Sequence, residues 1–565
     1  MKSGLRQLPF SETTRRWFET HFPAPTEVQQ RGWDLISQGH HSLLLAPTGS
    51  GKTLAAFLWT IDQLVSAPAS KGIKTVYISP LKALVYDVER NLRAPLAGVT
   101  RAADLSGTQT TVPTVAVRTG DTPANERERQ LRQPGDILVT TPESLYLMLG
   151  SRHRQNLTSV RTVIIDEIHA LAGTKRGAHL ALTLERLARI TDQDPQRIGL
   201  SATVRPVTDV ARYLGGDRPV EVVDTLEPPH IDLRIVVPIE DMENPPAPPP
   251  KEDDGGAILA QLLEEEQAPA RASIWSSLYP KFLEVIKEHR SVIFFVNSRG
   301  LCERLALKIN ELAEEELVLA HHGSVSHEKR RQMEEMLKSG ELRAIVATSS
   351  LELGIDIGSL DAVVMLGFPY SISSLRQQAG RAGRRQKDSL SLLVGEPWPL
   401  DQHYMRQPEA IFTEPDAALS VDLDNDFILE GHLQCAAREM PIHPEDDNQY
   451  FGPRLEALCK TRLQNDGSGF YHDNGDVGYN PSRDVAIRGA RQITYAYIDG
   501  TCQGWLPRGE VIVDVARGYE YEPLRTTVRI EPGQRELTLR LKRWINMNSL
   551  RWFSGDTHVH FLSTQ

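Results

Sequence analysis

Cysteine is scarce in this sequence: four residues in 565, Cys302, Cys435, Cys459 and Cys502, lie far apart with no Cys-x-x-Cys pair among them. That excludes a disulfide framework or a cysteine-built zinc site as the organising device. No uninterrupted apolar stretch approaches the roughly 18 to 20 residues that a membrane span needs, and Met1 to Phe10 hold no apolar signal core. A cytoplasmic chain with no membrane partner is the expectation. Excess basic charge is missing as well, since 63 Lys and Arg stand against 74 Asp and Glu, a formal charge of −11. Taken bluntly, this speaks against a broad electrostatic binder of nucleic acid. A hydrophobic content of 40% with 24% charged residues describes an ordinary soluble globular chain. At roughly 150 residues per domain, the length suits about three to four domains.

The acid is unevenly placed. Residues 239 to 270 hold nine acidic side chains and one basic, Lys251, around a proline-rich run from Pro245 to Pro250, so this segment carries −8 and leaves −3 for everything else. Proline and like-charge repulsion make such a segment extended, which reads as a linker or insertion. On either side, short β-branched runs alternate with helical patterns: Ser42 to Ala46, Thr75 to Ser79, Asp136 to Thr140, Val163 to Asp166, Val292 to Asn297, Ala344 to Thr348 and Ala362 to Leu366. Runs of that length between helices read as buried parallel strands of two doubly wound α/β domains, roughly 20 to 235 and 272 to 400.

Ala46-Pro-Thr48-Gly49-Ser50-Gly51-Lys52-Thr53 follows a strand and opens a helix at Leu54. Glycines let backbone N–H groups turn inward around phosphate oxygens, Lys52 reaches the terminal phosphates and the Thr53 hydroxyl can bind Mg²⁺. A second strand, Val163 to Ile165, ends in Asp166-Glu167-Ile168-His169, placing two carboxylates at the carboxyl end of a parallel sheet, where ligands of such folds bind. Asp166 suits the Mg²⁺ water shell and Glu167 suits the base that orients and deprotonates the attacking water. Gln377-Gln-Ala-Gly380-Arg381-Ala-Gly383-Arg384-Arg385 supplies the positive charge that phosphoryl transfer requires, and its spacing of three predicts Arg381 and Arg384 on one face of a helix turn, as arginine fingers.

Together these residues resemble superfamily 2 helicases of the DExH branch, whose two RecA-like domains close around ATP. The resemblance implies that Gln29, in Pro25-Thr26-Glu27-Val28-Gln29, contacts the adenine base. It implies that His169, with Ser201 and Thr203 of Ser201-Ala202-Thr203, couples hydrolysis to closure, and that Gly354 and Asp356 lie near the nucleotide. Strand-tracking positions are implied at Pro80, Lys82, Gly120, Thr141, Pro142 and Thr348. Hydroxyls and backbone N–H groups at strand ends can hold phosphates without a large basic patch, which reconciles a near-neutral motor with a nucleic-acid partner.

The stretch from Asp166 to Leu180 is similar to the large helicase-related (Lhr) family. Gln377 to Arg385, Leu400 to Glu409 and Asn425 to Glu439 look more like the MrfA-type, RecQ4-like repair helicases. Both resemblances imply DNA-dependent ATPases that move 3′ to 5′. Phe427 to Ala437 and Phe451 to Leu463 read as helices before Gly467-Ser-Gly469 and a strand Phe470-Tyr471, the order of a winged-helix module at 416 to 490. From about 491, alternating runs Glu510 to Val515, Thr527 to Ile530 and Glu536 to Leu541 read as a small β-sandwich. It ends in Gly555-Asp556-Thr557-His558-Val559-His560-Phe561, and the segment Trp505 to Leu562 resembles the start of CehA/McbA-type PHP metallohydrolases. His558 and His560 share a strand face as two ligands of an incomplete metal site.

The expected fold class is therefore α/β: two RecA-like parallel-sheet domains at 1–235 and 272–415, joined by the acidic 236–271, then the winged-helix-like module and a β-rich piece at 491–565. The expected function is an ATP- and Mg²⁺-dependent helicase or translocase on single-stranded or forked DNA, with RNA or a hybrid left open. Lys52, Thr53, Asp166, Glu167, Gln377, Arg381 and Arg384 carry hydrolysis. An ATP-gated remodelling clamp is one alternative. A tail that derives from a gene fusion, an assembly junction or a truncated bifunctional hydrolase is another.

Overall fold

The short β-branched runs become central strands of two parallel sheets in a computed structural model of the chain. The structure describes residues 10–47, 49–67, 71–107, 110, 112–202, 206–226, 233–236, 274–352, 360–382, 389–413, 425–475, 481–483, 485, 487, 509–515, 522, 524–530 and 540–543. The chain divides into two units, Met1–Gly489 and Ala490–Gln565.

The first unit opens with a seven-stranded sheet of β1 (His41–Leu45), β2 (Thr75–Ile78), β3 (Val115–Arg118), β4 (Ile137–Thr140), β5 (Thr162–Ile165), β6 (Gln196–Ser201) and β7 (Val220–Asp224), in spatial order β3-β4-β2-β5-β6-β1-β7. Every pairing in it is parallel. Its helices are α1 (Glu12–His21), α2 (Glu27–Ser37), α3 (Lys52–Ser66), α4 (Lys82–Leu105), α5 (Ala124–Arg132), α6 (Pro142–Leu149), α7 (Lys175–Ile190) and α8 (Val207–Gly215). Strand alternation sends Leu44, Tyr77, Ile164 and Ile198 to the layer containing Trp33, Phe57 and Val85. Leu43, Leu45, Val76, Ile78, Val163 and Ile165 go to the opposite layer, with Leu145, Leu184 and Val210. Burial on both faces is why these strands read as continuous apolar runs rather than alternating ones.

The second sheet holds β8 (Leu233–Val236), β9 (Val292–Val296), β10 (Val318–His321), β11 (Ala344–Ala347), β12 (Ala362–Leu366) and β13 (Leu390–Val394), ordered β10-β11-β9-β12-β13-β8. This corrects the boundary at 235. β8 precedes the acidic segment yet pairs with β13, so the second domain takes its edge strand from before the insertion.

A third region follows, with helices Asp426–Glu439, Pro444–Phe451 and Leu455–Arg462 and the small pair β14 (Gln464–Asn465) and β15 (Tyr471–His472). The single helix expected over Phe451 to Leu463 is broken at Gly452, whose φ of 80° and ψ of −179° no helix accommodates. Leu433, Ala436, Ile442, Phe451, Leu455 and Cys459 form its core, with Leu182 of α7 packed against it.

The region docks on the first domain through a buried polar seam. Arg186 of α7 is fully buried, pairs with Glu439 and donates Nη1–H to His432 Nδ1 at 3.1 Å, with its guanidinium 4.9 Å from the centre of the Tyr146 ring. His432 and His179 ring nitrogens meet at 2.9 Å. Arg189 clasps Asp447 at 2.6 and 2.8 Å and donates to the carbonyls of Ala436, Met440 and Pro441.

In the second unit, β16 (Gly509–Val515) pairs antiparallel with β17 (Leu524–Ile530), and Glu522 N–H donates to the Lys542 carbonyl. Residues 536–539 of the third expected run, and His558 and His560, lie outside the described residues.

Candidate functional site

The phosphate loop lies between β1 and α3. Gly51 caps α3 with φ 86°, and a Cβ there would meet Gln29 Nε2 at 2.4 Å, so the position requires glycine on both counts. Gln29 accepts from Thr26 N–H at 3.0 Å and donates to the Gly51 carbonyl at 3.3 Å, while the Thr26 hydroxyl donates to the Ser50 carbonyl at 2.9 Å. The Gln29 amide thus fastens α2 to the loop. Lys52 is buried and donates Nζ–H to the Ala46 carbonyl at 2.5 Å, and Thr53 is the second residue of α3. Ser50 Oγ is buried in the loop and has no hydrogen-bond partner among the described residues. Thr48 lies outside them.

Two strands away, the acidic turn leaves β5. Asp166 Oδ1 accepts Glu167 N–H at 2.9 Å, and Oδ2 accepts the hydroxyl of Tyr77 from β2. Burial, and then the neighbouring Glu167 charge, hold the Asp166 carboxyl above its ordinary range, while Tyr77 and Lys52 favour its ionised form. Glu167 is nearly buried and sits at φ 45°, ψ 46°. A side chain held in that left-handed conformation costs on the order of 1–3 kcal/mol, the kind of strain that gathers at functional turns.

His169 joins three segments. Its Nδ1 meets Ser201 Oγ at 2.7 Å, its Nε2 lies 3.6 Å from Glu167 Oε2, and Gln377 Nε2–H donates to that same Nε2 at 2.7 Å. Accepting at Nε2 leaves the proton on Nδ1, which donates to Ser201. Gln377 belongs to the helix Ile372–Ala379 of the second domain, so this bond crosses the cleft between the two sheets.

That helix ends earlier than expected. Gly380 is its C-cap, Arg381 N–H and Ala382 N–H turn back to Gln378 and Ala379, and Ala382 bridges Leu360, so Arg381 lies beyond the helix. Arg381 is therefore not on the face of that helix, and the expected pairing with Arg384 falls outside the described residues. The Arg381 guanidinium is buried and donates to the Glu352 carbonyl at 3.1 and 2.8 Å. Arg384, Thr203, Gly354 and Asp356 lie outside the described residues.

Sheet order divides the carboxyl edge of the first domain into two halves. β5, β6 and β1 carry Asp166, Ser201 and the phosphate loop, while β3, β4 and β2 lead into Gly120, Thr141, Pro142, Pro80 and Lys82, the positions expected to track a strand. Lys82 pairs with Asp121 at 2.6 Å beside the exposed Gly120. Thr141 and Pro142 are buried at the start of α6, where the Thr141 hydroxyl donates to Ser144 Oγ at 3.2 Å. Pro80 is buried too, and Thr348 is half-buried after β11. Sequence reasoning missed Arg176, which donates to the Pro80 carbonyl at 2.9 Å and to Glu143 at 2.8 Å, tying the turn after β2 to the start of α6. It also missed Tyr77, whose pattern is that of an ordinary strand residue.

Three family descriptions match the chain: DEAD/DEAH box helicase over residues 26–210, helicase conserved C-terminal domain over 277–386, and the winged helix domain of ATP-dependent helicase HRQ1 over 421–490. The chain is 47% identical over 412 residues to the Lhr helicase/probable uracil glycosylase of Mycolicibacterium smegmatis, covering 66% of this chain and 26% of that protein. It is 32% identical over 486 residues to ATP-dependent helicase HRQ1 of Saccharomyces cerevisiae, covering 82% and 42%. The chain therefore spans between a quarter and a half of the length of these relatives. Among solved structures, helicase Lhr of Mycobacterium smegmatis bound to ssDNA and AMP-PNP matches with a TM-score of 0.69 and 42% identity, covering 82% of this chain and 60% of that one. DUF1998 helicase MrfA bound to DNA and AMPPNP matches with a TM-score of 0.69 and 25% identity, covering 87% and 64%. No helix among the described residues is long and apolar enough to cross a membrane.

Proposed function

We propose that this chain, which belongs to the superfamily 2 DEAD/DEAH-box helicases with an Lhr-like motor and an HRQ1-type winged helix, is the motor of a cytoplasmic ATP-dependent DNA helicase or translocase. The bond from Gln377 to His169 carries the reading, because it joins the acidic turn of one domain to the helix preceding Arg381 of the other. ATP is the substrate. Its phosphates lie along the Gly49 to Lys52 backbone at the start of α3, where N–H groups and the helix dipole favour negative charge. The hydroxyl of Thr53 and the carboxylate of Asp166 are the hard oxygen donors that suit Mg²⁺, which when bound neutralises charge on the β- and γ-phosphates. Glu167 orients the attacking water and takes its proton, and Arg381 and Arg384 offset charge on the transferring phosphoryl group.

The substrate strand runs along the other half of the edge, past Pro80, Lys82, Gly120, Thr141 and Pro142 and across to Thr348, held by backbone and hydroxyl contacts that read no bases. Closure and opening of the cleft through His169, Ser201, Thr203 and Gln377 alternate the grip, and the resemblance to Lhr and MrfA-type proteins suggests 3′ to 5′ movement in DNA repair. In this reading the first motor domain ends between residues 226 and 233, the second comprises β8 with residues 272–415, and the winged helix occupies 416–490. For the piece from 491, His558 and His560 are proposed as two ligands of a metal site.

Glu167→Gln is expected to retain ATP and DNA binding and to lower DNA-stimulated ATP hydrolysis by about 10²-fold or more. An unchanged rate would remove Glu167 from the mechanism. A strand-displacement assay on forked DNA beside the ATPase assay separates the helicase from a clamp: stimulated hydrolysis with no displacement would identify the clamp.

A further inference from the structure

Tyr77 lies in β2 opposite Ile164 of β5. Side chains two apart on a strand share a face, so Ile164 and Asp166 both project to the side on which Tyr77 sits. The tyrosine ring is fully buried there and stacks on Phe57 of α3, with centroids 5.1 Å apart and an interplanar angle of 27°. Packing fixes the ring and the ring fixes its hydroxyl, which donates to Asp166 Oδ2. The other oxygen, Oδ1, accepts Glu167 N–H at 2.9 Å. Two donors, one from β2 and one from the turn after β5, therefore hold the plane of the carboxylate. A carboxylate offers about four lone-pair sites, and two remain beyond these bonds.

A phenylalanine would fill the same space against Phe57. The hydroxyl adds only a polar group at the end of a buried ring, and burying a hydroxyl without a partner is destabilising. Its bond to Asp166 removes that cost while directing the carboxylate. Supporting groups of this kind set the affinity of a metal site by holding the ligand in its binding orientation before the ion arrives.

We infer that Tyr77 is a positioning residue for metal-nucleotide binding: its hydroxyl holds the Asp166 carboxylate in the orientation that receives the hydrated Mg²⁺ of Mg-ATP. The inference rests on the ATPase reading above. It gives β2 two roles, since the strand also leads into Pro80 and, at the start of α4, Lys82 on the half of the edge proposed to track the substrate strand.

Tyr77→Phe tests it in the full chain, because the ring stays and only the hydroxyl leaves. Binding of a fluorescent non-hydrolysable ATP analogue is measured with saturating Mg²⁺ and again in EDTA. The gain in affinity conferred by Mg²⁺ is expected to fall about tenfold. Affinity in EDTA should stay within about twofold of wild type, since positioning acts on the metal-dependent part alone. The Mg²⁺ concentration for half-maximal ATPase should rise in parallel. Added to Asp166→Asn, Tyr77→Phe should have no further effect on the Mg²⁺ dependence, because its target is already gone. Equal losses with and without Mg²⁺ would make Tyr77 a packing residue and overturn the inference, as would a wild-type Mg²⁺ response or an undiminished loss in the Asp166→Asn background. If the wild-type chain binds no nucleotide under either condition, the ATPase reading fails and the inference with it. If wild type binds and Tyr77→Phe matches it, only the role of Tyr77 fails.

Discussion

The first domain meets its neighbours in two different ways. Toward the second domain, its acidic turn offers His169 to Gln377 through a neutral hydrogen bond, and Leu81 and Leu84 pack into the apolar cluster of the second sheet. Toward the winged-helix region, α7 offers Arg186 and Arg189 to buried carboxylates and His179 to His432, and α6 offers Tyr146 to Cys435. A neutral hydrogen bond is worth about 0.5–1.5 kcal/mol net. Removing one partner of a buried ion pair costs about 3–5 kcal/mol. The first kind of contact is cheap enough to exchange, whereas the second is costly to open. Under the proposed function, the winged-helix region is expected to travel with the first domain while the cleft opens and closes.

The sharpest way to break this distinction is Arg186→Ala. Glu439, with 1% of its side chain exposed, would be left as an unpaired buried charge, so the chain is expected to lose about 3–5 kcal/mol in a denaturant titration. Replacing Glu439 by Leu in an Arg186→Met background should recover most of that loss, because both charges then leave together. A loss below about 1 kcal/mol for Arg186→Ala would mean that the seam is as exchangeable as the cleft.

Acid should loosen the seam next. Arg186 can only donate, so His432 accepts at Nδ1 and carries its proton on Nε2. That proton is donated to His179 Nδ1, and His179 Nε2–H has no acceptor among the described residues. Both rings are neutral. Burial, followed by Lys175 and Arg186, lowers His179 from 6.5 to about 4, and burial, followed by Arg186 and His179, lowers His432 well below 6.5. With folded pKa values below the unfolded one, the folded state binds fewer protons between them. The seam's stabilisation is therefore complete above about pH 6.5 and is lost as pH falls toward 4. Hydrogen exchange in Asp426–Glu439 should accelerate between pH 7 and 5 relative to the first sheet. Exchange rates that keep their ratio across that range would remove the histidines from the seam's energetics.

The two regions also differed in how far they could be read beforehand. The phosphate loop, the acidic turn and Gln377 are contiguous motifs in which residue type and chemistry coincide, so their positions emerged from the sequence with little help from tertiary structure. β8 did not. Its partner β13 lies about 155 residues on, and an edge strand only partly buried has no continuous apolar run to reveal it. The seam had a signal that went unused. His179, Leu182, Arg186 and Arg189 are spaced three, four and three, a second stripe beside the apolar one of Leu180, Leu184 and Leu187. Two stripes on one helix imply two buried faces, but Arg186 reads as solvated until Glu439, 253 residues later, is brought against it. Arg381 went the other way: spacing suggested a helix, and Gly380 with the bridge from Ala382 to Leu360 ended it first.

The smallest expected change in stability belongs to the cleft. Gln377→Ala removes a neutral donor from His169 Nε2, a nitrogen that still lies 3.6 Å from Glu167 and whose ring still meets Ser201 at Nδ1. The folded chain should lose about 1 kcal/mol or less. Its nucleic-acid-stimulated ATPase should nevertheless fall about tenfold, because a coupling free energy of 1–3 kcal/mol between two sites corresponds to about 5–150-fold. Hydrolysis without nucleic acid should fall much less. The pairing of a small stability change with a large loss of stimulation is what separates an exchangeable contact from one that is costly to open. Arg186→Ala should give the opposite pattern in molecules that remain folded, with stability lost and the stimulation ratio kept. If Gln377→Ala instead lowered stimulated and unstimulated rates alike, the contact would belong to chemistry within the cleft rather than to its closure.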